Sequence, residues 1–396
     1  MMEWDSIRLS TKLPFQPTKY LSSVEISHTM SNRYPVYLDS KIGEIADLVD
    51  RYGVKVIRLK EFLPIEEDIR LAQNRSIIFT FDKSDKRHNW IRPHLEIIEN
   101  DGVFEADLFV TPGRDYLEHY FSMMQSSVKL RNIDAECAAF HTPHYAQSIR
   151  DWAGLDRIER ANARSVIIGQ FTELSDSFRR KEPPFKTIMT SFFTLEKYAA
   201  FDLLGINFSF WGNLSYHLTA ALIELGYREI IYVGKLGCLT EKVDVYNRIF
   251  VPNDFYLFDK DLSLLSISNI DNPLLKYFPR LSGGKHVSVP TVAEEILYQR
   301  DLFSKISIST IDNEISYIAK AISEHNLIND EEVSFSAFHY ATDYLRHERE
   351  AIDEGVLDLA NCRAEVALCK KRRILEKISA LLYEYLNRKM SRYYLL

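Results

Sequence analysis

At 396 residues the chain is about twice the size of one ordinary compact domain, so two domains or one elaborated domain are expected. Its 46% hydrophobic, 12% aromatic and 27% charged residues describe a globular rather than a disordered protein. A net charge of -7 argues against nucleic acid or an anionic membrane as partner, and Cys137, Cys238, Cys362 and Cys369 have the spacing of neither a zinc site nor a disulfide framework.

The amino terminus carries Glu3 and Asp5 where a secretory leader would place positive charge, and no later stretch approaches about 18 uninterrupted apolar residues. A cytoplasmic protein without a membrane partner is expected. Residues 1–35, with Pro14 and Pro17 and no sustained period, read as an irregular lead-in. Ile42, Ile45, Ala46 and Val49 then fall at helical spacing before Gly53, and residues 54–59 and 76–81 read as strands.

A further strand at 106–110 leads into a helix from about Asp115, with Leu117, Tyr120, Phe121 and Met124 on one side. The segment Cys137-Ala-Ala-Phe-His-Thr-Pro-His-Tyr follows. Over residues 95–148 this region is similar to the small ferredoxin-like subdomain of malonyl-type acyltransferases, a resemblance that would give His141 the role of catalytic histidine. Acyl transfer also needs a nucleophile in a Gly-His-Ser-x-Gly elbow, which the chain lacks, so no acyltransferase activity is expected. Residues 1–150 thus form an additional N-terminal α/β or α+β domain of unassigned role, followed by a charged linker at 149–163.

Five apolar stretches, at 166–169, 206–210, 230–233, 307–310 and 334–341, are expected as strands of one mainly parallel sheet covered on both faces. The stretch at 206–210 runs into Gly212-Asn-Leu-Ser215 and a helix bearing Leu214, Leu218, Ala221, Leu222 and Leu225, which Gly226 stops. The strand at 228–239 carries Gly234 and Gly237 toward its carboxyl end, where open α/β sheets bind ligands and where a missing Cβ lets the backbone come close to one. Asp312, Asn313 and Glu314 open a helix whose buried face is Ile315, Ile318, Ala319 and Ile322. The carboxylates here either hold a ligand or cap the helix. Asp343 ends the last strand, as a functional acid or as the cap of a following helix. Residues 346–396 read as a C-terminal helical extension, with Ile374, Ile378, Leu381, Leu382 and Tyr385 at helical spacing.

The order of Gly212-x-x-Ser215, then Leu-Gly-Tyr-Arg-Glu-Ile-Ile-Tyr-Val-Gly-x-x-Gly-x-Leu at 225–239, then Arg248-Ile-Phe-Val-Pro, resembles the nucleoside phosphorylase and nucleosidase superfamily over about residues 164–343. Two later elements, Asn313-Glu314 and Thr342-Asp343, stand where that resemblance places its ribose-binding and base-protonating residues. It implies an α/β domain, at 164–345, with a mixed sheet flanked by helices, and cleavage of an N-glycosidic bond. Glu314 would accept hydrogen bonds from the ribose hydroxyls, Asp343 would assist the leaving base, and Gly212, Ser215, Gly234, Asp312 and Asn313 would line the substrate site. Lys235 would hold phosphate.

The departures lie in the anion site. Tyr232 and Lys235 replace the arginine before Val-Gly and the serine after it, and Gly169-Gln-Phe-Thr-Glu-Leu stands in place of a Gly-Asp-Pro-x-Arg loop, with Arg179 and Arg180 further on. Phosphate and water therefore remain alternatives as the attacking group, and a non-catalytic protein that binds a nucleotide-like ligand is the second reading. The expected partner is a small nucleoside or nucleotide-like ligand, with a homo-oligomer in view. Neither cofactor nor metal is expected: Ser282-Gly-Gly-Lys285 lacks the rest of a phosphate loop, and His286 and His339 read as structural.

Overall fold

A computed structural model describes residues 6–9, 28–30, 33–61, 76–83, 86–130, 132–140, 150–151, 153–158, 164–239, 247–258, 262–281, 283–347 and 365–393. His141 and the end of the acyltransferase-like segment lie outside them. The N-terminal part contains β1 (Ser6–Leu9), α1 (Tyr34–Tyr52), β2 (Val56–Glu61), β3 (Ser76–Thr80), β4 (His94–Asn100), β5 (Val103–Val110), α2 (Arg114–Ser126) and β6 (Asp134–Phe140). The C-terminal part opens with β7 (Ser165–Gly169), α3 (Phe171–Arg179), β8 (Lys186–Met189), β9 (Phe193–Lys197), β10 (Asp202–Ile206), α4 (Asn213–Glu224) and β11 (Glu229–Cys238). It continues with β12 (Ile249–Phe250), β13 (Asp254–Phe258), β14 (Leu264–Asn269), α5 (Pro273–Tyr277), β15 (Lys285–Ser288), α6 (Leu297–Lys305), β16 (Thr310–Asp312), α7 (Ile315–Ile328), β17 (Ser334–Tyr344) and α8 (Glu365–Tyr393).

Two mixed sheets result, one of 6 strands in the order β1-β6-β2-β5-β4-β3 and one of 11 strands. In the larger, β10, β7, β11 and β17 lie side by side in parallel, so residues 230–233 pair directly with the start of β17, Ile230 opposite Phe335 and Val233 opposite Phe338. These strands are buried on both faces, the pattern that covered parallel strands require. One face packs on α4 and α7 through Ile230, Leu218 and Ile318, and the other on α3 and α8 through Ile231, Phe178 and Ile378.

Several expected boundaries move. The strand expected at 206–210 is β10, at Asp202–Ile206. Residues beyond Ile206 leave the ladder because their backbone bonds go elsewhere, Asn207 N–H to Phe192 O at 2.8 Å and Ile91 N–H to Asn207 O at 2.9 Å. The strand expected at 307–310 begins at Thr310, since Ser307 sits at φ 63 in the turn that ends α6, and β16 runs antiparallel to β11. The lead-in is not wholly irregular: Ser6–Leu9 extends the smaller sheet on β6, and α1 already begins at Tyr34. In the charged stretch read as a linker, Ala153, Leu155 and Ile158 are buried in the same apolar core that runs from Ile57 and Leu108 through Met123 to Leu214 and Ile230. The two sheets therefore share a core.

Among the described residues no helix is long and apolar enough to cross a membrane. No group of His, Cys, Asp and Glu among them is arranged to hold a metal ion.

Candidate functional site

The carboxyl end of β11 gathers side chains from β16, β17 and the turn into α7. Asp312 is the anchor. Its Oδ1 accepts the N–H groups of Glu314 at 3.0 Å and Ile315 at 3.2 Å and the Ser288 hydroxyl at 2.5 Å, and it lies 2.9 Å from His286 Nε2. A carboxylate at the start of a helix satisfies N–H groups that have no intrahelical partner, so the capping role is what its geometry displays. Burial acts to raise the Asp312 pKa, but the His286 ring, His339 and the Ser288 hydroxyl outweigh it and hold the group below the ordinary carboxylate value.

Glu314 stands beside this fixed charge. Burial, reinforced by the Asp312 charge and opposed by Lys235, raises its pKa to about 8, so the acid is largely protonated at neutral pH. Its Oε2 accepts the Asn313 N–H at 3.2 Å. The surrounding backbone is tightly specified: Gly212, at φ 61, donates its N–H to Asn313 O at 2.6 Å, while Asn313 Nδ2 donates to Val289 O at 2.7 Å. Ser215 directs its hydroxyl at Gly212 O at 2.7 Å and Glu314 O at 3.2 Å. It ties α4 to the Glu314 turn.

Asp343 is buried within β17, opposite Gly237 across a register shift, and its Oδ1 accepts the Thr342 hydroxyl at 2.6 Å. It lies inside the strand. A Cβ on Gly237 would collide with Leu345 Cδ1 and lie 3.2 Å from Asp343 Oδ2, so this glycine makes room first for Leu345 and then for the acid. Gly234 makes room for something other than a ligand: a Cβ there would meet His339 Nε2 at 2.7 Å and the Tyr232 ring at 2.8 Å. Lys235 is exposed, and its charge is felt at both Glu314 and Glu295.

Glu295 is a residue that sequence reasoning missed. It is buried, and its pKa is driven well above the carboxylate range by burial and then by Asp343, Asp312 and Glu314, with Lys235 opposing. Those couplings bring the acids of β16, β17 and the 290–296 segment into one electrostatic cluster. Burial lowers the His339 pKa to about 3; the ring is fully buried, its Nε2 3.7 Å from Asp312 Oδ2, and neither ring nitrogen has a hydrogen-bond partner among the described residues. Tyr232 tilts against it at 5.1 Å between ring centroids. Such an arrangement can present acceptors and an exchangeable proton to a polyhydroxylated ligand.

No family model matches the chain. A protein of Cordyceps militaris named oxidoreductase cns1 is 28% identical over 329 residues, which are 76% of this chain but 41% of that protein. The chain thus spans less than half of that curated relative. Several solved nucleosidase structures are similar to part of the chain. One, the 5'-methylthioadenosine/S-adenosyl homocysteine nucleosidase of Campylobacter jejuni, is 12% identical, covering 58% of this chain and 100% of that one at a TM-score of 0.43. A Helicobacter pylori futalosine hydrolase mutant is 14% identical, with 56% and 99% covered and a TM-score of 0.41. Likeness at this level assigns no activity to this chain.

Proposed function

We propose that this chain cleaves the N-glycosidic bond of a nucleoside or nucleotide-like substrate. Glu314 holds the ribose hydroxyls and Asp343 lends its proton to the base. As the carbon–nitrogen bond breaks, its electron pair leaves with the base nitrogen, and protonation there makes the base a better leaving group. The electron-poor sugar is stabilised by the neighbouring carboxylates and captured by phosphate, or by water whose proton returns to the Asp343 carboxylate. Lys235 is the candidate for holding an anionic nucleophile, acting as a point charge.

The observation that carries this reading is the meeting of Glu314, Asp343, Asp312 and Glu295 around the end of β11, contributed by segments far apart in sequence. Incubating the full chain with a panel of nucleosides and nucleotides, with and without phosphate, and following released base tests it. Release that Asp343→Asn suppresses supports cleavage; release from no member of the panel refutes it. A binding protein without turnover is the second reading, favoured by the replacement of the expected arginine by Tyr232. It predicts ligand-dependent thermal stabilisation with no base released.

A further inference from the structure

Past Leu236 the pairing of β11 with β17 changes register: Leu236 faces Ala341 but Gly237 faces Asp343, so Thr342 is an extra residue in β17. A bulge of this kind leaves one residue unpaired and re-aims the side chains that follow. The direction of Asp343 is therefore set by whatever holds the two strand ends beyond the bulge. The ladder itself offers little there, the pair Cys238 and Tyr344 and the bond from Leu345 N–H to Cys238 O at 2.9 Å.

Arg300 on α6 supplies the rest. Its buried guanidinium donates from Nε to Leu345 O at 3.1 Å, and from Nη2 to Leu239 O and to the Tyr344 hydroxyl, the latter at 3.0 Å. Nη1 donates to Ser304 Oγ at 3.1 Å within the same helix, and the cation lies 5.7 Å from the centre of the Tyr344 ring. One side chain thus ties the first residue past β11, the last residue of β17 and the residue after it to a helix that begins two residues beyond Glu295. Leu345, whose carbonyl it holds, shares the space over Gly237 with the Asp343 carboxylate. Burying a cation is unfavourable unless its donors are taken up. Here neutral carbonyl and hydroxyl oxygens at the strand ends take them, with Asp301 Oδ1 further off at 3.5 Å from Nη1.

We propose that Arg300 is a positioning residue for Asp343: by clamping the ends of β11 and β17 beyond the bulge, it aims the Asp343 carboxyl group into the site. The inference rests on the role given to Asp343 above. Arg300 touches no ligand and acts through Tyr344 and Leu345. Lysine cannot stand in for it, because an ammonium group lacks the planar fork that reaches two carbonyls and a hydroxyl at once.

Arg300→Lys and the milder Tyr344→Phe, made in the full chain, test this with two readouts. The first needs no substrate: in NMR titration, the shift and midpoint of the Asp343 carboxyl carbon should move in both variants, while those of Glu324, on the surface of α7, stay in place. The second uses a nucleoside that the chain cleaves. Arg300→Lys should lower kcat by about 100-fold, the effect of a misplacement of about 1 Å, with KM changed by less than about threefold. In an Asp343→Asn background the same substitution should cost less than about threefold, because residues that act as a unit do not add. An equal loss with and without the Asp343 carboxyl group, or an Asp343 carbon that does not move, overturns the assignment. Release of no base by the unaltered chain overturns the reading of the site instead, and the NMR comparison still decides whether Arg300 aims Asp343. Should Arg300→Lys fail to fold, Tyr344→Phe, which removes a single acceptor, carries both comparisons.

Discussion

Asp312, buried, and Glu314, half-buried, stand two residues apart at the entrance to α7 and are held in opposite states of charge. Asp312 is surrounded by donors, two of them helix N–H groups, and stays ionised. Glu314 is offered the Asn313 N–H and faces the Asp312 charge, which together with burial takes its pKa to about 8.

This pairing makes stability depend on pH with a definite sign. Between its ordinary value of 4.5 and about 8, Glu314 is protonated in the folded chain and ionised in the unfolded one. The folded chain holds the extra proton, so the Glu314 contribution to stability falls as pH rises through that window. Glu295 adds a term of the same sign, while His28 and His339, buried and neutral, act oppositely. Comparison with Glu314→Gln isolates the one group. The variant's melting temperature relative to the unaltered chain should rise from about pH 5 to about pH 8; parallel curves would contradict the assignment.

Asp312→Ala should act on both the helix and its neighbour. It leaves the N–H groups of Glu314 and Ile315 without their acceptor and His286 beside an empty position, a loss of about 3–5 kcal/mol for breaking a buried pair. Removing the like charge should also bring the Glu314 pKa down. Denaturant unfolding reads the first effect and NMR titration of the Glu314 carboxyl carbon the second. A Glu314 pKa that stays put would show that burial alone sets it.

The central sheet was legible because its strands are apolar on both faces: residues 230–233 and 334–341 each lie within the strand assigned to them, and Gly226 follows the helix before β11. Beyond Ile206 the same apolar alternation misleads, since the backbone bonds of Asn207 leave the ladder while Phe208 packs on Phe192 and Phe210 on Tyr232. Glu295 carries no local signal. It follows a single 3-10 turn at Val292–Glu294, and its meaning comes from neighbours on other elements. Asp115 reads in sequence as an ordinary acid in the first turn of a helix, and nothing local announces that it caps a second helix 98 residues on.

The C-terminal helix is an integral layer on the sheet. Ile378 and Leu382 are fully buried against the cluster that includes Phe178 and Ile231, and Tyr385 donates to Glu229 Oε1 at 2.5 Å while Lys389 pairs with Glu229 Oε2 at 2.9 Å. Ile378→Ala should cost about 2–5 kcal/mol. Glu229→Ala should also be strongly destabilising, because it leaves a buried tyrosine hydroxyl and a lysine without their acceptor. Chemical denaturation measures both, and losses below about 0.5 kcal/mol, the range of surface substitutions, would show α8 to be loosely attached.

Glu314 and Asp343 should separate binding from chemistry. Glu314→Ala removes the acceptor for two sugar hydroxyls, each charge-assisted bond being worth roughly 1.5–3 kcal/mol, so ligand affinity should fall by more than about tenfold. Because the ionised form of Glu314 is the acceptor, binding below about pH 8 should release a proton, visible as a dependence of the calorimetric heat on the ionisation enthalpy of the buffer. Asp343→Asn keeps shape and one acceptor at the position packed over Gly237 but has no acidic proton to give. Turnover should drop by about 10²–10⁴-fold with affinity nearly unchanged. Loss of affinity in both variants with turnover per bound ligand intact would place Asp343 in ligand binding. A protein that only binds would respond to the Glu314 change and show no base release for Asp343→Asn to slow.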